Sequence, residues 1–140
     1  MSCRFFMRFI PALFVASAIA TPQCTPEERA VWIGSDEFSE NYRKASASTF
    51  GDAAKTTDKL AKIYSISRPC LACLGTATEC SRDNCMMECA GDPSTAKCLS
   101  CIDTYCISAL LECTGAESKA ELPNPAKKPQ SLIMRGFISK

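Results

Sequence analysis

The sequence predicts an all-α, disulfide-rich domain built on an antiparallel helical hairpin, with one or two N-terminal helices packed on it. Three observations carry that prediction. Nine of the eleven cysteines fall within the 44 residues from Cys70 to Cys113. Folding this stretch back at Asp92-Pro93 sets Cys89 opposite Cys98, Cys85 opposite Cys101, Cys80 opposite Cys106 and Cys73 opposite Cys113, and the position numbers of each pair add to 186 or 187. β-Branched residues are sparse in both arms, and no apolar–polar alternation of period two competes with the helical reading.

The chain of 140 residues opens on a stretch that looks removable. Arg4 and Arg8 charge its start, Phe9 to Ala20 is apolar, and Ala18-Ile19-Ala20 puts small residues ahead of a cut before Thr21. The apolar run spans 12 residues, short of the roughly 20 that a helix needs to cross a bilayer. Residues 1–20 therefore read as a secretory signal peptide, and cleavage there removes Cys3 and leaves ten cysteines. An even count in a small secreted chain is the mark of a disulfide framework.

The organisation expected after the cut is N-terminal helices over 21–66, the cysteine-rich hairpin over 67–115 and a disordered basic tail over 116–140. Thr25-Pro26-Glu27-Glu28 is a helix start, with Thr25 to cap, Pro26 at the first helical position and Glu28 to complete a capping box. Val31, Phe38, Tyr42 and Ala45 then share one face, although Gly34-Ser35 interrupts the run. Trp32 reads as a cover for the core. Ala45 to Asp52 (ASASTFGD) is small and polar, a loop by composition, and a short helix is expected from Thr56 to Ser65 with Leu60, Ile63 and Tyr64 inward.

The first hairpin arm is expected from Pro69 to Ala90, with Gly91 just past its end, and the second from an Asp92-Pro93 start to Cys113, with Gly115 past its end. Helix geometry complicates a straight ladder. At 100° per residue, Cys80 lies close to the direction of Cys73 and Cys89 close to that of Cys85, but Cys85 is about 140° from Cys80. The other arm has the same five-residue step between Cys101 and Cys106. The rungs are thus expected on both sides of the helix seam, and pairing the remaining Cys24 with Cys70 would pin the first helix to the hairpin. Ten cysteines allow many connectivities, and the nested set is the favoured one among them.

Other chemistry for these cysteines is weighed against disulfides. Cys70-x2-Cys73 and Cys98-x2-Cys101 have the outward form of a four-cysteine zinc site, and each CxxC begins a predicted helix, where thiols are activated. The signal peptide points to an oxidising route, and the βαβ surroundings of thioredoxin-type motifs are missing, so structural bridging is preferred and no cofactor or metal is expected. The chain has no histidine, which removes the usual general base and nucleophile activator and argues against an enzyme. Charge excludes a nucleic-acid footprint: residues 21–140 carry 14 basic and 15 acidic side chains with no dense basic face. The stretch Ser131 to Lys140 (SLIMRGFISK) mixes apolar and basic residues, which suits weak membrane or protein contact as well as a frayed terminus.

The paired spacings Cys73-x11-Cys85 and Cys101-x11-Cys113 resemble the coiled-coil-helix (CHCH) hairpins of the mitochondrial intermembrane space, a likeness that implies inner-to-inner and outer-to-outer pairing. The wider pattern is similar to uncharacterised secreted cysteine-rich all-α proteins of unicellular eukaryotes. It runs from Cys24 through CxxC, Cys80-Cys85-Cys89 and Gly91-Asp92-Pro93 to Cys113-Thr114-Gly115. This second likeness implies a fold and no activity. The resulting expectation is a secreted module, extracellular or in the secretory lumen, that acts on an unknown protein partner by surface recognition and not by catalysis. The alternative is a structural subunit of an organellar or membrane-associated complex, in an organelle lumen or the intermembrane space.

Overall fold

The computed structural model describes residues 21–123, so the expected signal peptide and the tail from residue 124 lie outside the described residues. Those residues form six α-helices, with no strand among them: α1 (Pro26–Ala30), α2 (Asp36–Ser48), α3 (Ala53–Ala61), α4 (Arg68–Cys89), α5 (Ala96–Tyr105) and α6 (Ile107–Thr114). A short 3-10 turn, Lys119–Glu121, follows. The protein is an all-α, disulfide-rich domain organised around α4, on which α3, α5 and α6 pack.

Local chemistry sets the first helices. Thr25 Oγ1 accepts the N–H of Glu28 while Glu28 Oε2 accepts that of Thr25, closing the capping box that starts α1. The chain breaks at Gly34 and restarts where the Ser35 hydroxyl accepts the N–H of Phe38. Phe38, Tyr42 and Ala45 are buried as the periodicity implied, but Val31 is 43% exposed. The first helix ends at Ala30, so the turn that follows carries Val31 outward and Trp32 inward.

The helix α2 runs on through Ala45–Ser48, which composition reads as loop: Ser46 and Thr78 of α4 hydrogen-bond at 3.1 Å, and the small polar side chains bond back within the helix. Ser46 Oγ donates to Tyr42 O at 2.9 Å and Ser48 Oγ to Ala45 O at 3.0 Å. Asp52 rather than Thr56 opens the next helix, its carboxylate accepting the N–H of Lys55 at 2.8 Å. The earlier start ends α3 at Ala61, so Leu60 is buried and Ile63 falls in the following turn, 54% exposed. The core joins this N-terminal half to α4: Trp32, Phe38 and Tyr64 meet as tilted rings at 5.7 and 4.6 Å between centroids, in one cluster with Leu60, Leu71 and Leu74. Residues 21–66 therefore pack as one unit with the hairpin.

The hairpin has one continuous arm and one broken arm. The first, α4, is continuous over 22 residues and closes at Gly91, which has φ 93°. The expected single second helix is instead two, α5 and α6, divided at Cys106 (φ −119°, ψ −27°). The break falls at one end of the five-residue step that turns the cysteine directions by about 140°, and both α5 and α6 pack on the continuous α4. The start of α5 also differs from expectation. The Asp92 carboxylate holds Ser94 in a turn, accepting its N–H at 2.8 Å, and Thr95 caps the helix by accepting the N–H of Cys98.

A further correction concerns the tail. Residues 116–123, expected as part of a disordered segment, pack on the domain. Ala116 and Leu122 are buried, the Trp32 indole N–H donates to Glu121 O at 2.9 Å, and Lys119 pairs with Asp103. Proline-rich composition hides this because the anchors are one leucine and one backbone carbonyl.

Candidate functional site

The ten cysteines form five bridges: Cys24–Cys70, Cys73–Cys113, Cys80–Cys106, Cys85–Cys101 and Cys89–Cys98, with Cα separations of 4.6, 5.7, 5.9, 5.8 and 4.6 Å. These distances lie in the range that a disulfide spans. The sulfurs of the two CxxC motifs are taken up in four different bridges, to Cys24, Cys113, Cys89 and Cys85. Among the described residues no group of three or more histidine, cysteine or acidic side chains is placed to hold a metal. Five bridges belong to an oxidising compartment, and no described helix is long and apolar enough to cross a membrane.

The bridged hairpin forms one wall of a cleft of about 520 Å³. The second half of α4 supplies its floor with Thr78, Ser81, Arg82 and Met86; Pro93 and Ile102 close one side, and Ala47 of α2 with Phe50 closes the other. Sequence reasoning about the cysteines did not single out this cleft. The one available signal was Phe50, a lone aromatic inside the small polar stretch ASASTFGD.

The rim residue Phe50 is held in an uncommon way. The end of α2 is a Schellman turn, in which Gly51 N–H donates to Ser46 O at 3.1 Å and Phe50 N–H to Ala47 O at 3.2 Å. The residue between cap and closing N–H must then take a left-handed conformation, which favours glycine. Here that position holds Phe50 at φ 52°, and the glycine comes one residue later. A left-handed backbone costs a residue with a Cβ roughly 1–2 kcal/mol. The Phe50 side chain recovers little by burial, since it is 87% exposed.

The turn is braced from α4. Arg82 Nη1 donates to Gly51 O at 3.4 Å, and the Arg82 Cβ would lie 2.8 Å from a Cβ added at Gly51, so the two backbones are in close contact. The same guanidinium donates to Asp83 at 2.7 Å and Glu79 at 3.2 Å, and the Asp83 bond above all raises its pKa. Arg43 is likewise engaged, bidentate on Glu40, whose carboxyl it pulls down to about 2. Beneath the cleft the Tyr42 hydroxyl donates to Leu74 O at 3.0 Å with Thr78 Oγ1 3.1 Å away, and burial pushes its pKa up to about 12.

This lining offers contact area. Its hydroxyls bond one turn back, Ser46 to Tyr42 O at 2.9 Å, Thr78 to Leu74 O at 3.0 Å and Ser81 to Ala77 O at 2.9 Å. Its cations face carboxylates of their own helices, and the chain has no histidine to activate a hydroxyl. Apolar groups remain as the free binding surface: Phe50, Met86 at 60% exposure, Ile102 and Pro93. A second depression, between α3 and the start of α4, is lined by Ala53, Ala54, Thr57, Pro69, Ala72 and Thr76 with Arg68 and carries no aromatic or methionine anchor. No protein-family model, curated protein or solved structure matches this chain.

Proposed function

We propose that this chain is a secreted helical module, stapled by five disulfides, that acts by surface recognition and not by catalysis. The cleft between α2, α4 and α5 is where it engages a protein partner. The observation that carries this reading is Phe50: a large aromatic kept in a strained backbone conformation and shown to solvent beside an apolar cleft. The turn needs a left-handed residue but not one with a side chain, and strain of this kind clusters at functional positions; an exposed aromatic flanked by a methionine is a typical anchor for a partner. Secretion is supported by the signal-like residues 1–20 and by the bridges.

The test has two parts. The intact mass of the protein released into the medium should correspond to a start at Thr21 with five bridges. A photo-crosslinking amino acid at position 50 should then capture a macromolecule on cells of the source organism, and excess unlabelled protein should compete. An uncleaved product, or crosslinking that excess protein does not reduce, would reject the reading.

A further inference from the structure

The same cleft has a candidate occupant within the chain, an inference that rests on the cleft being a recognition surface. Charge is partitioned sharply along the sequence. Residues 21–123 carry 10 basic and 15 acidic side chains, whereas residues 124–140 carry four basic ones, Lys127, Lys128, Arg135 and Lys140, and no acidic one. The second stretch also holds the apolar groups Leu132-Ile133-Met134 and Phe137-Ile138. An apolar, basic segment is therefore tethered to a net acidic domain that exposes an apolar cleft.

The occupant's chemistry follows from the rim. A carboxylate ligand finds Arg82 and Arg43 already bonded to Asp83, Glu79 and Glu40. Lys44 also pairs with Glu40, so three cations match three carboxylates and the rim has no spare charge, which favours a guest held by its apolar side chains.

The tether is long enough. Glu121 is anchored by Trp32, whose ring meets that of Phe38 near the start of α2, and the cleft lies at the other end of that helix. From Phe38 to Ala47 the helix rises about 14 Å. The nine residues from Pro123 to Leu132 reach up to about 30 Å when extended, enough to round the domain and reach the cleft.

We infer that residues 131–140 (SLIMRGFISK) dock in the cleft as an intramolecular plug. The Leu132–Met134 group lies against Phe50, Met86 and Ile102, and a partner must displace it. Tethering makes such contacts effective even when each is weak, because the linked segment is present at millimolar effective concentration.

The experiment uses the full processed chain with ¹³C-methyl methionine, in which Met86, Met87 and Met134 report. Nuclear Overhauser contacts are expected between the Met134 methyl and the Phe50 ring. The double substitution Leu132→Asp with Ile133→Asp should move the Met86 methyl signal to the position of a solvent-exposed methionine and leave the Trp32 indole N–H unshifted. A Met86 signal that ignores the tail substitution overturns the proposal. So does one that moves with protein concentration, which would put a second copy in the cleft. The recognition reading is judged separately by the crosslink at position 50: unchanged capture in the tail variant rejects the plug alone, and loss of competed capture in every form rejects the recognition site.

Discussion

Glu28 Oε1 accepts the backbone N–H of Ser67 at 2.7 Å, across 39 residues of sequence. The other carboxylate oxygen closes the cap of α1, so one side chain ties the first helix to the residue that precedes α4. The Ser67 side chain above all, then the backbone N–H groups of Thr25 and Ser67, lower the Glu28 pKa from the ordinary 4.5. A lowered folded-state value means the stabilisation is fully present above that ordinary value and is lost as pH falls through the lowered one. Glu28→Ala should therefore lose about 1 kcal/mol at neutral pH, and its deficit against the wild type should shrink below pH 4.5. Denaturant midpoints at pH 7 and pH 3 check this, and a deficit independent of pH would show that the charge is immaterial.

Tyr42 predicts the opposite limb of the stability profile. Burial raises its pKa from 10.0 to about 12, so the folded state holds the neutral phenol. Stability from this group is present below the ordinary value and is lost as pH rises from there towards the folded value. Tyr42→Phe removes the bond to Leu74 O and should cost about 1 kcal/mol at neutral pH. Between pH 10 and 12 the wild type alone loses the Tyr42 term, so the gap between the two proteins should narrow. A constant gap in urea midpoints across that range would contradict the burial argument.

Gly75 of α4 lies closely against α3. A Cβ at this position would meet Ala53 O and Thr57 Oγ1, each at 2.4 Å, and the first of these is backbone that cannot step aside alone. Alanine normally gains roughly 1 kcal/mol over glycine inside a helix. Overpacking costs about 1–3 kcal/mol, and the backbone contact puts this site at the upper end. Gly75→Ala should thus lower the melting temperature in spite of its better helix propensity; a rise would mean that α3 shifts freely on α4.

The bridges should not contribute equally. Cys24–Cys70 closes a separation of 46 residues that no other bridge encloses, for which loop-closure entropy gives about 4 kcal/mol. Cys85–Cys101 lies between Cys80–Cys106 outside it and Cys89–Cys98 inside it, so its ends are already confined when it forms. Replacing both cysteines of a bridge by alanine should therefore destabilise far more at 24 and 70 than at 85 and 101. Equal losses in chemical denaturation would show that strain or packing, not chain entropy, sets the contribution.

The parts legible in the sequence were those governed by short-range rules. Mirror-symmetric cysteine positions marked the hairpin, and Thr25, Glu28 and Gly115 marked helix ends through side-chain or backbone geometry that depends on neighbours alone. What stayed hidden depends on distant partners. The helix through Ala45–Ser48 has poor composition, and Tyr42 and Thr78 fix it from below. Leu122 is an ordinary tail residue until the Trp32 indole N–H donates to the Glu121 carbonyl beside it. The cleft needs α2, α4 and α5 together, and nothing in the local chemistry of Met86 or Ile102 announces their meeting.

Phe50 joins stability to function in a single substitution. Phe50→Gly relieves roughly 1–2 kcal/mol of left-handed strain, against an entropic cost of about 0.5–1 kcal/mol for glycine in the unfolded chain. Little burial within residues 21–123 is lost, because the ring is 87% exposed there. The variant should therefore be slightly more stable than the wild type, by about 0.5–1 kcal/mol. If the ring is the anchor of a recognition surface, that same variant should compete poorly for the partner captured from position 50. A protein that becomes more stable and keeps full competition would place the recognition surface elsewhere. One that becomes less stable would mean that the Schellman turn draws support from the aromatic ring itself.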